Sequence, residues 1–290
     1  MLIHFYFVCL SFILFFLTVA FLKKNRETII RATTLLVLTH ITCLALWQGT
    51  LWFAIFMTIV FVLGLYEIGR QYQVNLFWFW AFNLVLFAIA YFGERSCGLP
   101  CSFSQLAALW VLAACSITLK SSQQIIQQSA YLMVFSSCFL IPCSIFLIKL
   151  VNLGIAPIIT ILLLLQLNDA FGYLFGKSFG KTKLFSTISP NKTLEGYLCG
   201  GVGIAIGIFL LHTYIPVLSN SSLFHDVLLF AIIFTFGNSG DLILSSLKRK
   251  LELKDFSRIL PGHGGVLDRF DNILFVAPFF YILLVRGLIL

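Results

Sequence analysis

Charge is what this sequence lacks. Only 10% of its 290 residues are Asp, Glu, Lys or Arg, against about 25% in a soluble globular chain. Too few polar side chains remain to coat a water-facing surface, so a soluble enzyme, a disordered chain and a coiled coil are excluded. There is no low-complexity linker and no internal repeat, which removes solenoids and tethered domains. The eight Cys are scattered, mostly within apolar runs, where a thiol acts as a small hydrophobe. That excludes a disulfide scaffold; Cys97 and Cys101 alone share a loop, and could pair only if that loop is extracytoplasmic. What the chain has instead is hydrophobicity: 60% apolar and 16% aromatic residues, with a mean hydropathy of +1.02. The net charge of +8 orients spans rather than recruiting nucleic acid, which is not an expected partner.

A helix crosses the hydrocarbon core with about 20 mostly apolar residues. By that measure the candidates are 2–22, 32–47, 50–69, 76–92, 103–119, 130–150, 152–172, 193–218, 224–247 and 270–290. The second is short and turns tightly at Gln48-Gly49. The expected fold is therefore all-α, a polytopic integral membrane protein of nine or ten transmembrane helices. The first segment has no basic residue before its apolar run and is followed by Lys23, Lys24 and Arg26, which reads as an anchor rather than a cleaved signal. With ten spans, all 19 Lys and Arg except Arg95, Lys149 and Arg286 fall on one face. Basic residues favour cytoplasmic loops, so that face is expected to be cytoplasmic and both termini external. Residues 1–290 form one membrane domain. Its first 150 residues read as scaffold and 151–290 as the catalytic half, where Gly, Asp and Lys concentrate. Glu67, near the cytoplasmic end of the third span, reads as a snorkelled residue paired with Arg70.

An acid inside a transmembrane segment costs on the order of 3 kcal/mol at mid-helix and demands a partner or a wet cavity. Asp169 stands at the end of the seventh candidate, Asp241 inside the ninth, and Asp268 and Asp271 at the opening of the tenth. All four belong near the cytoplasmic ends. Asp268 and Asp271 share a helical face, as do Asp241, Ser245 and Lys248. Any one of these acids could simply pair with a nearby base. Four on one face, among Gly loops and lysines, read as a site for a hard cation such as Mg²⁺, which takes oxygen ligands and keeps phosphate in its shell.

Two basic loops lie between these acids. In the first, Pro190 bars helix at Ser189 and Thr193 can cap the next helix. Lys192 stands just ahead of amides that attract anions. A polyphosphate seat and an ordinary positive-inside loop are equally open readings. The second loop is charged from Lys248 to Arg258, then rich in glycine at 262, 264 and 265, where backbone amides can approach a phosphate closely. His263 sits among them, as a structural hydrogen-bonder or a phosphate-orienting group.

From Ser245 onward the pattern is Ser-x-apolar-Lys-Arg, four residues, Lys-Asp, then Pro-x-His-Gly-Gly and Asp-Arg-apolar-Asp. It is carried by Ser245, Lys248, Arg249, Lys254, Asp255, Pro261, His263, Gly264, Gly265, Asp268, Arg269 and Asp271. This stretch resembles the signature of the phosphatidate cytidylyltransferase, or CDP-diacylglycerol synthase, family. The likeness extends by motif over about 150–290, with Phe171, Asn191 and Leu244 departing from the usual pattern. The resemblance implies transfer of CMP from CTP to phosphatidate, giving CDP-diacylglycerol and pyrophosphate, in a bacterial inner membrane with the site on the cytoplasmic side. It implies Mg²⁺ with a second, monovalent cation such as K⁺, and a homodimer. Asp169, Asp241, Asp268 and Asp271 would hold metal. Asp241, Asp268, Asp271, Lys248 and His263 would be catalytic. Lys192, Arg249, Ser189, Ser245, Gly264, Gly265 and Arg269 would bind substrate. The alternatives are a related nucleotide-dependent transferase or kinase acting on another membrane lipid, a cation-coupled transporter, and an inactive paralogue that keeps the scaffold.

Overall fold

The computed structural model describes residues 6, 10, 14, 18, 26–71, 81, 83–85, 87, 135–136, 140–185, 187–214, 222–250, 252–257, 259–262 and 264–289. The span candidates 2–22, 76–92 and 103–119 lie wholly or mostly outside these residues, as do Cys97 and Cys101. The described part is helical, with one small hairpin. In chain order it contains α1 (Arg26–Gln48), α2 (Thr50–Gln71), α3 (Ile141–Asn152), α4 (Ile155–Phe179), β1 (Lys183–Phe185), β2 (Ser189–Thr193), α5 (Leu194–Tyr214), α6 (Leu223–Ile232), a π-helical turn (Ile233–Gly237), α7 (Asn238–Lys250) and α8 (Leu267–Val285). Among the described residues, five helical rods are long and apolar enough to cross a membrane. The protein is integral to a membrane.

The boundaries follow local chemistry. α1 and α2 form a hairpin hinged at Gly49, whose φ of 101° is a conformation other residues rarely adopt. α1 is 23 residues long, longer than its 32–47 apolar stretch, because Arg26 and Arg31 continue the helix beyond the hydrocarbon. For the same reason α4 passes the expected end at 172 and runs to Phe179, so Asp169 lies well inside a helix rather than at its terminus. α8 starts at Leu267 and not at 270, which puts Asp268 and Asp271 in its first turns. The segment 183–193, expected to be loop, forms an antiparallel ribbon with Lys183 opposite Thr193 and Phe185 opposite Ser189. Pro190 excludes helix there, and an extended edge tolerates it.

Two close crossings bring the polar residues together. α4 and α5 touch through glycines. A Cβ on Gly196 would stand 2.7 Å from the Gly172 carbonyl oxygen, and one on Gly203 would stand 2.7 Å from that of Leu167. Helices associate in lipid through such small-residue faces, because packing replaces the hydrophobic effect there. α7 meets α8 at Gly240, where a Cβ would lie 2.7 Å from the Asp271 carbonyl oxygen. Leu65, Leu147, Ile158, Ile161, Val276 and Phe280 fill the interior between α2, α3, α4 and α8 with essentially no exposure. Outward, Trp47, Leu51, Phe209 and Leu223 are exposed, as suits an apolar solvent.

Candidate active site

α4, β2, α7 and α8 each bring polar residues to one cleft. α4 supplies Asn168 and Asp169, β2 Lys192, α7 Asn238 and Asp241, and α8 Asp271 and Asn272. These seven residues line a cleft of about 400 Å³, together with Tyr173, Tyr197, Asp268 and Arg269. The π turn stands directly ahead of Asn238 and Asp241; such turns are concentrated at functional sites. Its last residue, Gly237, sits against Leu165, where a Cβ would be 2.6 Å from that side chain. This close seat lets α7 present both polar residues to α4.

Inside the cleft each carboxylate has a different occupation. Asp241 accepts from Lys192 Nζ at 2.6 Å and from Ser245 Oγ at 3.1 Å. The expected sharing of a face by Asp241 and Ser245 is thus a hydrogen bond. Asp169 accepts from the amides of Asn168 at 3.2 Å and Asn272 at 3.1 Å. Asp271 is buried and accepts from the Asn272 backbone N–H at 2.8 Å. Asn272 Oδ1 is buried with no hydrogen-bond partner among the described residues. A buried oxygen without a donor is costly, and this one stands beside two carboxylates.

The donor set is all oxygen, which fits Mg²⁺ and not a soft metal. Among the described residues no three His, Cys, Asp or Glu side chains are grouped to hold an ion by themselves. An ion here would complete its shell with water and phosphate, the habit of Mg²⁺. Asp169, Asp241 and Asp271 are the residues that would hold it.

The remaining predicted residues build the walls. Asp268 faces the cleft but has both oxygens engaged. Oδ1 accepts from Lys248 Nζ at 2.7 Å, while Oδ2 accepts from Gly265 N at 2.9 Å and Phe256 N at 3.2 Å. The Asp268–Lys248 pair is almost sealed, with side chains 4% and 9% exposed. Lys248 also lies 5.7 Å from the Phe256 ring centroid. Arg249 donates to the carbonyl oxygens of Ile188 at 3.1 Å and Leu253 at 2.7 Å, tying the hairpin turn to the end of α7. Ser189 opens β2. Gly264 pairs with Leu260 in a two-bond bridge. Gly265 fits where a Cβ would be 2.7 Å from Glu67 Oε2. Arg269 is exposed at the rim. His263 lies outside the described residues. Thr193 caps α5 as expected, accepting from Gly196 N at 3.2 Å. Leu244, a departure from the family pattern, is fully buried core. Phe171, another, closes over α5, where a Cβ on Gly203 would be 3.0 Å from its ring.

Glu67 corrects the sequence reading. It is not a snorkelled partner of Arg70 but 1% exposed. It accepts from Ser257 Oγ at 2.6 Å, Val266 N at 2.7 Å and Leu267 N at 3.0 Å. The last two are orphan amides at the start of α8. A residue of the supposed scaffold thereby fixes the loop and helix that carry Asp268 and Asp271. Sequence reasoning does not single out Asn168, Asn238 and Asn272. Their signal was present: an amide buried in an apolar helix needs a partner as much as an acid does.

The fold and cleft define a class: a polytopic membrane protein in which acids, amides and a lysine from three helices and a hairpin strand form one polar pocket. Comparison with known proteins narrows it. Residues 29–286 match the model of the cytidylyltransferase family, and the chain belongs to that family. The match takes in the N-terminal half, which the motifs alone did not reach. A phosphatidate cytidylyltransferase of Bacillus subtilis (strain 168) is 48% identical over 120 residues, 40% of this chain and 43% of that protein. One from Aquifex aeolicus (strain VF5) is 37% identical over 160 residues, 55% of this chain and 58% of its own length. One from Staphylococcus aureus (strain COL) is 43% identical over 134 residues, 46% and 51% respectively. The chain thus spans about half the length of the curated relatives it matches.

Proposed function

We propose that the protein transfers CMP from CTP to phosphatidate at this cleft, releasing pyrophosphate and leaving CDP-diacylglycerol in the membrane. Family membership and the relatives' names support the reaction class. The observation that carries it is the meeting of Asp169, Asp241, Asp271 and Lys192, from four separate elements, in one cleft. In the reaction an oxygen of the lipid phosphate attacks the α-phosphorus of CTP. The bond to the α–β bridging oxygen breaks, and pyrophosphate leaves with that electron pair. A phosphate monoester is already ionised near neutral pH, so no strong general base is needed; the difficulty is bringing two anions together in line. Mg²⁺ held by Asp169, Asp241 and Asp271 would neutralise phosphate charge. Lys192 is poised for the same purpose: a phosphate entering the cleft competes with Asp241 for its ammonium and frees that carboxylate. Asn168 and Asn272 hold Asp169 in orientation with neutral donors, and Asp268 acts by anchoring Lys248 and the glycine loop.

The basic residues gathered at this end favour a cytoplasmic cleft in a bacterial inner membrane, with both termini outside. A bound K⁺ and a homodimer complete the proposal by family resemblance. The test is purified protein in detergent supplied with α-labelled CTP and phosphatidate. A labelled lipid and pyrophosphate should appear with Mg²⁺ and stop on chelation. Labelled lipid formed equally well after chelation would refute the role of the ion, and no labelled lipid under any ion would refute the reaction.

A further inference from the structure

The hairpin that carries Lys192 is too small to hold its own shape. β1 is three residues long and β2 five, and their pairing is irregular between Lys183 and Phe185. A two-stranded ribbon by itself is marginal in water. Yet this one carries Lys192 Nζ to within 2.6 Å of Asp241 on α7. Ties from outside the ribbon fix it.

There is one at each end. At the tip, Ile188 N donates to the Phe185 carbonyl oxygen at 3.2 Å, and Arg249 of α7 donates to the Ile188 carbonyl oxygen at 3.1 Å. At the base stands Glu195, in the first turn of α5. Its Oε2 accepts from the backbone N–H groups of Lys181 at 3.0 Å and Thr182 at 3.2 Å, and its Oε1 accepts from Thr182 N at 3.2 Å. These donors precede it by 14 and 13 positions. Leu194 N closes the same junction on the Thr182 carbonyl oxygen at 2.9 Å. Gly180 is seated there too, where a Cβ would be 2.5 Å from Thr193 Oγ1. The exit of α4, the entry to β1 and the start of α5 thus meet around one carboxylate.

Lys192 stands three positions before Glu195, and between them the chain passes from strand to helix. The anchor of that junction therefore sets the direction in which β2 leaves it. We infer that Glu195 is a positioning residue for Lys192: it pins the entry of β1 to the start of α5 and so holds the strand that aims the ammonium into the carboxylate cleft. The requirement is for an acceptor at the right reach and not for a charge. Oε2 alone takes both amides, so a carboxamide oxygen can replace it, whereas a side chain one methylene shorter falls short. Glu195 is partly buried, and water replaces part of each bond when the side chain is removed, so the effect falls on the aim of Lys192 more than on global stability. The inference rests on the CMP-transfer reading only for what Lys192 does to phosphate; the placement of Lys192 does not depend on it.

The test is trace acetylation of the full chain in detergent with acetic anhydride, read by peptide mass spectrometry as the labelling rate of Lys192. Lys254, exposed on the loop before α8, is the internal standard. Glu195→Ala should raise the Lys192 rate relative to that standard by about threefold or more, as loss of a net hydrogen bond permits. Glu195→Gln should stay close to wild type, and Glu195→Asp should behave as alanine does; a role for the charge itself would reverse these two. In CMP transfer, Glu195→Ala should cost about tenfold on its own and less than about twofold in a Lys192→Ala background, because residues that act through one group are not additive. An unchanged Lys192 rate in Glu195→Ala overturns the inference. So does rescue by aspartate but not glutamine, or an equal loss of transfer in both backgrounds. A wild type that makes no CDP-lipid removes the reaction reading alone, since the acetylation rates decide the placement without it.

Discussion

Replacing Glu67 tests whether the N-terminal half holds the site or merely surrounds it. The carboxylate receives three hydrogen bonds, from Ser257, Val266 and Leu267, and is 1% exposed. Glu67→Ala leaves three donors without an acceptor in a place water barely reaches. At the low end of about 1.5 kcal/mol for each bond to a charged group, the loss is about 4–5 kcal/mol. For a chain of this size that corresponds to an apparent melting point lower by about 10 °C in detergent. Glu67→Gln should fall between, because its Oε1 can still accept from Ser257 and Val266 while its NH₂ meets the Leu267 N–H donor to donor. Activity should fall further than stability in both variants at temperatures where they remain folded, since the loop from Phe256 to Leu267 also seats Asp268. The measurement is thermal unfolding by intrinsic fluorescence beside CMP transfer at 20 °C below each melting point. An alanine variant that melts within about 2 °C of wild type would refute the reasoning, for then the three bonds contribute nothing that water does not replace.

Asp241→Asn should lower CMP transfer by about 10²-fold or more with little change in melting. Its pair with Lys192 is a quarter exposed on both sides, and such pairs contribute about 0–1 kcal/mol. Asp268→Asn should behave in the opposite way, melting early because it leaves Lys248 charged and buried, at a cost of about 3–5 kcal/mol. Adding Lys248→Met to it should recover part of that loss, and a double variant no more stable than Asp268→Asn alone would contradict the buried-pair account. Gly200→Val should separate α4 from α5, because a Cβ there stands 2.6 Å from Asn168 Oδ1 and 3.1 Å from the Asn168 carbonyl oxygen. The expected readout is loss of monodisperse protein on size-exclusion chromatography.

The class of fold was legible because hydrophobic runs and scarce charge leave few alternatives to helices in lipid. The ends of the helices were not. Polar residues such as Lys177 and Arg31 continue a helix into the interface without any break in backbone chemistry, so hydropathy stops before the helix does. The hairpin at 183–193 is too short and polar for an alternation signal, and only Pro190 hinted at extended structure. The chemistry of the cleft was legible as residue types, since an Asp in an apolar segment is conspicuous on its own. The contacts of Glu67 were not, because its partners lie 190–200 positions away and two of them are backbone amides, which no sequence displays.

Sequence alone reads Asp169, Asp241, Asp268 and Asp271 as metal ligands, with the last three also catalytic. Geometry separates them by what their oxygens already accept. Asp268 answers a buried ammonium and two amides, and its lone pairs are committed to the fold. Asp241 answers a quarter-exposed lysine and a hydroxyl, partners that an entering phosphate or cation would displace under the proposed reaction. Asp169 is held by neutral amides that orient it without cancelling its charge. Asp271 accepts only a neighbouring backbone N–H among the bonds described, and stands next to an unpartnered amide oxygen. The carboxylate oxygens are therefore least committed at Asp169 and Asp271 and most committed at Asp268, where the structural cost of removal is greatest. Lys192 sets one cation against the carboxyl groups of this pocket, paired to Asp241 at 2.6 Å. Under the proposed reaction, an anion that took Lys192 would also deliver the oxygens that an ion on the carboxylates would require, so substrate entry and completion of the site would be a single exchange of partners.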